Sequence, residues 1–476
     1  MCLNRMRMVP QCRLNRREYS SMAKRIIGTR VWACFGFCLA FGSLPRADAQ
    51  ANAAFPPDPS RLEKQRIVTD SLPSKPTVPP AFSIPVEPLG FSVPGSIYLG
   101  QRNALASLDF LDENRLLFTF RVPGLIRRET GQRGEERQIR AVVLSLPKGN
   151  VEAEALWPVH DRTRYLWMLN DGHFLLRDRD GLQMGDSALQ MKPFLHFPGP
   201  VIFLELDPQQ QYLVTDSREP VAPAHSAAND AKLTNGGGPS STSAGASVTG
   251  TDAGAQKAGE QLDTVLRILR LDSGKVVSVT RVAAAAHLPL NSDGYLESLR
   301  GNGARWMLNM NYFNGGTRMV GHVDSTCAPV YEFISQRELL VTACESWGGH
   351  RLVAMDTDGR HLWDVLASGS GVWPLLVRSQ DGLRVARETL AVNHTLSASA
   401  PLDSDEIKGQ LVRVFDAANG KEALAAPATP PLDAGGNVAI SPSGRRVAVL
   451  NAGAIQVFDL PLPAQMLDST PVQAGH

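Results

Sequence analysis

A short unit of alternating strands and turns recurs along most of this chain, and it constrains the fold more than any other feature. The last copy is the clearest, with strands expected at Asn437–Ile440, Arg446–Leu450 and Ala454–Asp459 and a tight turn at Ser441–Gly444. Apolar runs bounded by Gly, Pro, Ser and Asn are typical of strands joined by turns. A unit of this size cannot bury both faces of its sheet alone, so its copies must pack on one another.

About seven copies are present, and sustained helical periodicity is almost absent. The copies begin near residues 105, 158, 200, 292, 327, 372 and 430. Those from His160 to Pro198 and from Gly294 to Asp324 are the weakest, so six or eight copies remain open. Small sheets arranged around an axis bury one another's faces. The sequence therefore predicts an all-β chain folded as a β-propeller of seven four-stranded blades.

The residues of the last copy also carry a family resemblance. An apolar strand, Ser441-Pro442-Ser443-Gly444, a second strand and then Val457-Phe458-Asp459 resemble the repeats of WD-repeat and YVTN-type β-propellers. The resemblance covers about residues 91–461. It implies the fold and no functional residue, because Trp363-Asp364 alone matches the Trp-Asp dipeptide and Gly-His dipeptides are not in register.

The first 49 residues have the features of a secretory signal peptide. A basic stretch, Lys24–Arg30, precedes the apolar run Val31–Leu44, and Ala47-Asp48-Ala49 suits a signal peptidase. The apolar run is shorter than the roughly 20 residues of a membrane-spanning helix. We therefore expect a secreted or periplasmic protein with no membrane insertion after cleavage, whether translation starts at Met1 or at Met22.

The rest of the chain divides by composition. Residues 50–90 are rich in Pro and predict a linker. Residues 91–463 hold the propeller, and residues 464–476 form a tail. Within the propeller, Phe91–Leu99 is strand-like and is expected to complete the last blade beside Val457. This pairing would close the ring and leave no unpaired edge in that blade.

Three copies carry enlarged loops at the same position, between their second and third strands. These are residues 122–140, 217–262 and 391–408, and the second is rich in Gly, Ser, Ala and Thr, which predicts a disordered insertion in one blade. Loops at equivalent positions emerge on one face, which makes that face the candidate binding surface. The alternative is that surface hairpins simply tolerate insertions.

The charge balance narrows the class of partner. Residues 1–49 carry nine Lys and Arg and two Asp and Glu, which leaves 39 basic and 45 acidic residues in the remainder. Binding to nucleic acid requires a basic surface that offsets the phosphates. The sequence therefore predicts a protein or peptide partner and no nucleic acid.

The six cysteines divide between the two parts of the chain. Four lie in the first 49 residues, and Cys327 and Cys344 remain after cleavage. They flank a hairpin centred on Gln336, which brings their side chains within reach of each other. In an oxidising compartment this pair predicts one disulfide, and two free thiols are the alternative.

No motif predicts a catalytic residue, a metal site or a cofactor. The chain lacks a hydrolase nucleophile elbow, a zinc-protease helix, a phosphate loop and a dinucleotide fingerprint. The candidates for binding on the loop-bearing face are Arg127, Arg128, Arg133 and Trp347. The acidic candidates on inner strands are Asp109, Glu205, Glu297 and Glu332.

Two functions follow from these candidates. The leading interpretation is a binding or scaffolding propeller that recognises a protein or peptide through the loops of one face. The alternative is an enzyme at the mouth of the central channel, as in lactonase-like or quinoprotein-like propellers. The absence of catalytic motifs favours the first, and convergence of the four carboxylates on the axis would favour the second.

Overall fold

The computed structural model describes most of the expected propeller. The described residues are 66–69, 71–93, 105–123, 136–160, 163–220, 262–282, 287–346, 349–368, 371, 375–393, 406–432 and 434–463. The strands in these ranges form seven sheets. The same ranges contain no apolar helix of the length that a membrane span requires. The predicted all-β propeller of seven blades is confirmed.

The strands are numbered along the chain, beginning with β1 (Arg66–Thr69) and β2 (Phe82–Pro85). Blade 1 contains β3 (Ala106–Asp112), β4 (Arg115–Arg121), β5 (Arg137–Ser145) and β6 (Asn150–Val159). Blade 2 contains β7 (Leu166–Met168), β8 (Phe174–Asp178), β9 (Gly181–Gly185) and β10 (Met191–His196). Blade 3 contains β11 (Val201–Leu206), β12 (Tyr212–Pro220), β13 (Leu262–Arg270) and β14 (Val276–Val282).

The remaining blades follow in order. Blade 4 contains β15 (Gly294–Arg300), β16 (Arg305–Tyr312) and β17 (Thr317–Asp324). Blade 5 contains β18 (Val330–Phe333), β19 (Glu338–Cys344), β20 (His350–Asp356) and β21 (His361–Ser368). Blade 6 contains β22 (Leu376–Arg378), β23 (Arg384–Val392), β24 (Ile407–Asp416) and β25 (Glu422–Ala428). Blade 7 contains β26 (Val438–Ile440), β27 (Arg446–Asn451) and β28 (Ala454–Asp459).

The core lies between blades rather than within one. In β4, Leu116, Leu117, Phe118 and Phe120 are all buried, although side chains alternate between the two faces of a strand. Both faces are buried because Phe118 and Phe120 pack toward blade 7 while Leu117 packs toward blade 2. Second strands therefore appear in the sequence as continuous apolar runs rather than as alternating ones.

The ring is closed by a strand from the N-terminal side of the propeller. β2 pairs antiparallel with β28, so that Phe82 lies opposite Val457 and completes blade 7. The closing strand therefore comes from 82–85 and not from 91–99, of which residues 91–93 are described and form no strand. Ile84 packs on Gly149 at the turn between β5 and β6, which joins blade 7 to blade 1.

The segment predicted to be a linker also contacts blades 5 and 6. β1 pairs in parallel with β21 as a fifth strand of blade 5. The backbone N–H of Thr77 then donates to the carbonyl oxygen of Ala425 in β25, at 2.9 Å. Residues 66–86 thus run along three successive blades, so the prediction of a passive spacer over 50–90 is wrong for this part.

Blade 4 has three strands, and its path explains the missing fourth. Five residues, Ser325–Pro329, connect the end of β17 to the start of β18, which is too few for another strand and its turns. The outer strand of the preceding blade, β14, is exposed along six of its seven residues. An absent outer strand in blade 4 leaves the face of β14 toward that blade without a neighbouring strand.

The largest insertion is shorter than the sequence predicts. β12 continues to Pro220 and β13 begins at Leu262, and these two residues are paired in register. The extension is held by Arg267, which donates from both terminal nitrogens to the carboxylate of Glu219, at 2.5 and 2.9 Å. Residues 217–220 therefore belong to the blade, and residues 221–261 lie outside the described residues.

The predicted disulfide is present. Cys327, just before β18, is bonded to Cys344, the last residue of β19. The hydroxyl of Ser325 accepts from the backbone N–H of Cys344 and donates to the carbonyl oxygen of Cys327, at 2.9 and 2.8 Å. A crosslink that closes a loop of this length contributes about 3 kcal/mol in the chain-entropy model.

Candidate binding site in the axial channel

Inner strands of five blades bring charged side chains to the propeller axis. Asp109 lies in β3, Glu205 in β11, Glu332 in β18 and Arg378 in β22, and Arg164 stands two residues before β7. Arg164 interacts electrostatically with Asp109 and Glu332, and Arg378 does so with Glu332 and Glu205. The structure thus brings three of the four candidate carboxylates into one cluster with two arginines.

The fourth carboxylate, Glu297, is not part of this cluster. It lies in β15, and its carboxylate accepts a long hydrogen bond of 3.4 Å from the side-chain amide of Asn311 in the same blade. The cluster is also not a set of acids alone, because the two guanidinium groups stand among the carboxylates. Within the described ranges, no three His, Cys, Asp or Glu side chains are arranged to hold a metal ion.

The start of the inner strands surrounds a small cavity. It has a volume of about 50 Å³, and its walls come from blades 1, 2, 6 and 7. Polar and charged walls are Ser107, Asp109 and Arg164, and Leu375 and Gly436 close other sides. We call this cavity and the cluster beneath it (Glu205, His287, Glu332 and Arg378) the axial well.

Hydrogen bonds between opposite blades cross the axis at the other end of the well. A terminal nitrogen of Arg378 donates to the carbonyl oxygen of Asp207 in blade 3, at 3.3 Å. The side-chain amide of Gln380 donates to the carbonyl oxygen of Leu169 in blade 2, at 3.2 Å. Asp207, Leu169 and Gln380 all stand just beyond the ends of inner strands, so these bonds span the channel at that face.

The well opens on the face that carries the loops between second and third strands. Ala106 at the start of β3 lies opposite Phe120, and the N–H of Arg121 donates to the carbonyl oxygen of Leu105 at 3.0 Å. The end of each second strand thus lies beside the start of its inner strand. All four loop candidates, Arg127, Arg128, Arg133 and Trp347, lie outside the described residues. The first of these loops is described up to Pro123 and again from Glu136.

Arg164 is the most accessible cation of the well. Its side chain lines the channel and is exposed to solvent. Nε donates to the carbonyl oxygen of Leu166 at 3.0 Å, and the guanidinium carbon stands 5.2 Å from the ring centre of Trp167. Among the described residues, no carboxylate oxygen lies within 4.0 Å of its nitrogens.

Arg378 is held similarly. Its bond to the carbonyl oxygen of Asp207 uses one of five N–H groups, and in the described ranges no carboxylate reaches ion-pair distance. Among charged side chains, Glu332 has the largest electrostatic effect on Arg378. Both arginines therefore keep N–H donors that face the channel without a carboxylate partner.

A histidine that the sequence did not single out completes the cluster. His287, between blades 3 and 4, places Nδ1 3.0 Å from a carboxylate oxygen of Glu205 and Nε2 2.6 Å from the carbonyl oxygen of Tyr331. Burial lowers the pKa of His287, but its contacts with Glu205 outweigh this and raise the pKa to about 9. The ring is therefore protonated at neutral pH and links blade 3 to blade 5.

This linkage predicts a pH-dependent contribution to stability. Because the pKa of His287 is about 9 in the folded chain and 6.5 when unperturbed, its charged contacts stabilise the fold fully below pH 6.5. The contribution should be lost as pH rises from 6.5 through 9. We expect the difference in unfolding free energy between the wild type and His287→Gln to shrink over that range, measured by urea denaturation.

Two carboxyl groups, one in the axial cluster and one behind the cavity wall, have pKa values raised to near neutral pH. Burial raises the pKa of Glu332 to about 7, against the lowering effect of Arg378. Burial likewise raises the pKa of Glu388 to about 8, although the backbone N–H groups of Gly436 and Asn437 lower it. Glu388 lies behind the wall of the cavity, beneath Gly435, and is fully buried.

Sequence reasoning missed Arg164, Arg378 and His287, because an acid in an apolar inner strand is conspicuous and these three residues are not. Arg378 does carry a signal, since a charged residue in a short inner strand must face either a partner or the channel. Arg164 and His287 stand outside strands, and their position at the axis depends on how the chain enters the blade. No local pattern marks that position.

Several solved structures are similar to this chain at low sequence identity. No protein-family model and no curated protein matches the chain. The acylaminoacyl peptidase of Pyrococcus horikoshii is similar at 9% identity and a TM-score of 0.42, over 77% of this chain and 54% of that one. The β-propeller domain of the Trilobed protease from Pyrococcus furiosus gives 10% and 0.41, over 79% and 99%. The N-terminal domain of Nup159 gives 13% and 0.40, over 83% and 99%.

These similarities concern the fold alone. This chain spans about half the length of the peptidase. The resemblance to WD-repeat and YVTN-type propellers is confirmed at the level of architecture, where the seven sheets themselves establish it. What the chain binds has to be argued from its own residues.

Proposed function

We propose that this chain is an exported binding propeller that engages a protein or peptide on the face where its inner strands begin. The observation that carries the proposal is the difference between the two ends of the channel. On one end the well is open and offers N–H donors of Arg164 to solvent. On the other, side chains of Arg378 and Gln380 cross the axis and bond to opposite blades.

The loops support the same face. Long connections leave the second strands after Pro123, Pro220 and Asn393, and the chain returns to the third strands at Glu136, Leu262 and Glu406. Binding residues commonly lie on loops that a rigid scaffold positions. The disulfide between Cys327 and Cys344 supports export, because such bonds persist in oxidising compartments.

A channel enzyme is the second candidate, and one observation favours it. Glu332 has a pKa of about 7 and stands near the protonated His287, and a group with a pKa near neutrality suits general acid–base catalysis. A screen with hydrolase substrates tests this candidate. Activity that is lost in Glu332→Gln would support catalysis in the well.

The binding proposal is tested by removing the largest loop without disturbing its blade. Because Pro220 and Leu262 are paired, residues 221–261 can be replaced by Asn-Gly, which closes a two-residue hairpin. The mature protein and this variant are used for affinity capture from the envelope fraction. Lys148→Glu, an exposed change in the turn between β5 and β6 on the opposite face, is the matched control.

We expect a partner that the mature protein and Lys148→Glu both retain and that the loop variant retains at least about tenfold less, which corresponds to about 1.4 kcal/mol. Unfolding midpoints of the three proteins establish that all are folded. Equal retention by the loop variant, or no specific partner with any of them, would contradict the proposed face.

A further inference from the structure

We infer that the axial well receives one carboxylate group of the bound peptide, an acidic side chain or the C-terminus, and that Arg164 holds it. This inference rests on the proposed function, since it names the chemical group that the loop-bearing face recognises. Four properties of the well carry it: free donors, enclosure, net charge and size.

The free donors belong to a residue that is fixed in place. The stacking of Arg164 on Trp167 and the bond from its Nε to Leu166 hold the guanidinium plane, and its terminal N–H groups remain for a ligand. A planar guanidinium pairs with a carboxylate through two parallel hydrogen bonds. Because the arginine is already positioned, little side-chain freedom is lost on binding.

Partial enclosure strengthens this pairing. Arg378 and Glu332 are half-buried among the inner strands of several blades and interact electrostatically with Arg164, whose side chain remains exposed to solvent. An ion pair gains more from Coulomb attraction at the lower effective dielectric constant of a partly enclosed site than in bulk water. Part of the cost of desolvating the cations has already been met in the folded propeller, because the chain itself holds them at the axis.

The charge of the well selects a monoanion. Its charged side chains are Arg164, Arg378, His287, Asp109, Glu205 and Glu332. With all six groups ionised, three cations face three anions. When Glu332, whose pKa burial raises to about 7, holds its proton, one positive charge is left. One carboxylate neutralises this charge, whereas a phosphate group, with a charge of about −1.5 to −2 at pH 7, would meet Asp109 and Glu205 in excess.

Other charged groups near the well leave this balance unchanged. Asp207 beneath the floor and Arg177 beside the Trp167 ring add one charge of each sign. Glu388, with a pKa of about 8, is mostly neutral at pH 7. The cavity of about 50 Å³ then sets the size of the group. It has room for three or four water-sized atoms, at roughly 10–15 Å³ each, which matches a carboxylate and its neighbouring carbon.

The experiment uses the full mature chain and three pools of randomised octapeptides acetylated at the N-terminus. The first pool has one Asp or Glu and an amidated C-terminus, the second has a free C-terminal carboxylate and no acidic residue, and the third has neither carboxylate. Peptides retained on the immobilised protein are counted by mass spectrometry. The variants are Arg164→Gln and, as control, Arg300→Gln, an exposed arginine that likewise stacks on a tryptophan, Trp306, at 5.9 Å.

We expect the first or second pool to be retained about tenfold more than the third, and which of the two it is identifies the source of the carboxylate. Arg164→Gln should reduce retention to that of the third pool, and Arg300→Gln should leave it unchanged. Equal retention of all pools, or full retention by a folded Arg164→Gln protein, would overturn the inference.

The two proposals fail differently. If the partner captured from the envelope is lost with residues 221–261 but retained by Arg164→Gln, the binding face stands and the carboxylate site does not. If Arg164→Gln loses the carboxylate pools while the loop variant keeps every captured protein, the well binds carboxylates and the loops do not define the partner.

Discussion

A chain that begins at residue 87 should lose most of its stability, whereas a chain that begins at residue 71 should remain folded. The shorter chain lacks β2, and β28 then becomes an unpaired edge. It also lacks Ile84 and Val86, which are 4% and 1% exposed. Truncating one such side chain costs about 2–5 kcal/mol, and the total stability of a domain is only about 5–15 kcal/mol.

Urea unfolding followed by tryptophan fluorescence and circular dichroism measures this effect. A point variant separates the packing of β2 from its hydrogen bonds. Ile84→Ala should destabilise by about 2–5 kcal/mol, because Ile84 packs on Gly149 across the boundary between blade 7 and blade 1. Leu72→Ala, in the same segment but 36% exposed, should cost about 1 kcal/mol. Equal midpoints for the chains from 71 and 87 would show that β2 does not close the ring.

Gly359→Ala should be among the most destabilising single changes in the propeller. Gly359 lies in the turn between β20 and β21 with φ at +85°, and an added Cβ would stand 1.8 Å from the carbonyl oxygen of Val320 in β17. The left-handed backbone alone costs an alanine about 1–2 kcal/mol, and overpacking adds about 1–3 kcal/mol. Blade 5 approaches the three-stranded blade 4 closely at this point.

A second glycine separates the two costs. Gly303, in the turn between β15 and β16, has φ at +68° and no heavy atom within 4 Å of a built Cβ. Gly303→Ala should therefore show the backbone cost alone, at about 1–2 kcal/mol. The difference between the losses of unfolding free energy in the two variants gives the contribution of the contact between Gly359 and Val320. If the two variants are equally stable, the close approach of Gly359 to Val320 has no energetic weight.

The sequence predicted the repeating part of the fold well because each blade is a local structure. Turns such as Ser441–Gly444 carry their own signal, and buried second strands such as β4 appear as apolar runs. The pairing of Cys327 with Cys344 also followed from one hairpin. Predictions that depended on contacts distant in sequence were less accurate. The closing strand was placed at 91–99 rather than 82–85, because any short apolar segment before the first blade could have paired with β28.

The site illustrates the same division. Asp109, Glu205 and Glu332 were found because an acid in an apolar inner strand is conspicuous. Their arginine and histidine neighbours were not found, and these neighbours give the well a mixed charge. The role of each acid depends on residues far away in the chain, as the electrostatic interaction between Arg378 and Glu205 illustrates.

By itself the sequence determined the blades, their approximate number, the disulfide and the face on which the loops emerge, because hairpins and their turns are specified by residues close together in the chain. The tertiary structure decided which strand closes the ring, where the N-terminal segment runs, why blade 4 has three strands and which charges meet at the axis. These features arise when blades distant in sequence are brought together by the burial of their apolar faces. The amino acids at the axis then face one another for reasons of geometry that no local pattern encodes.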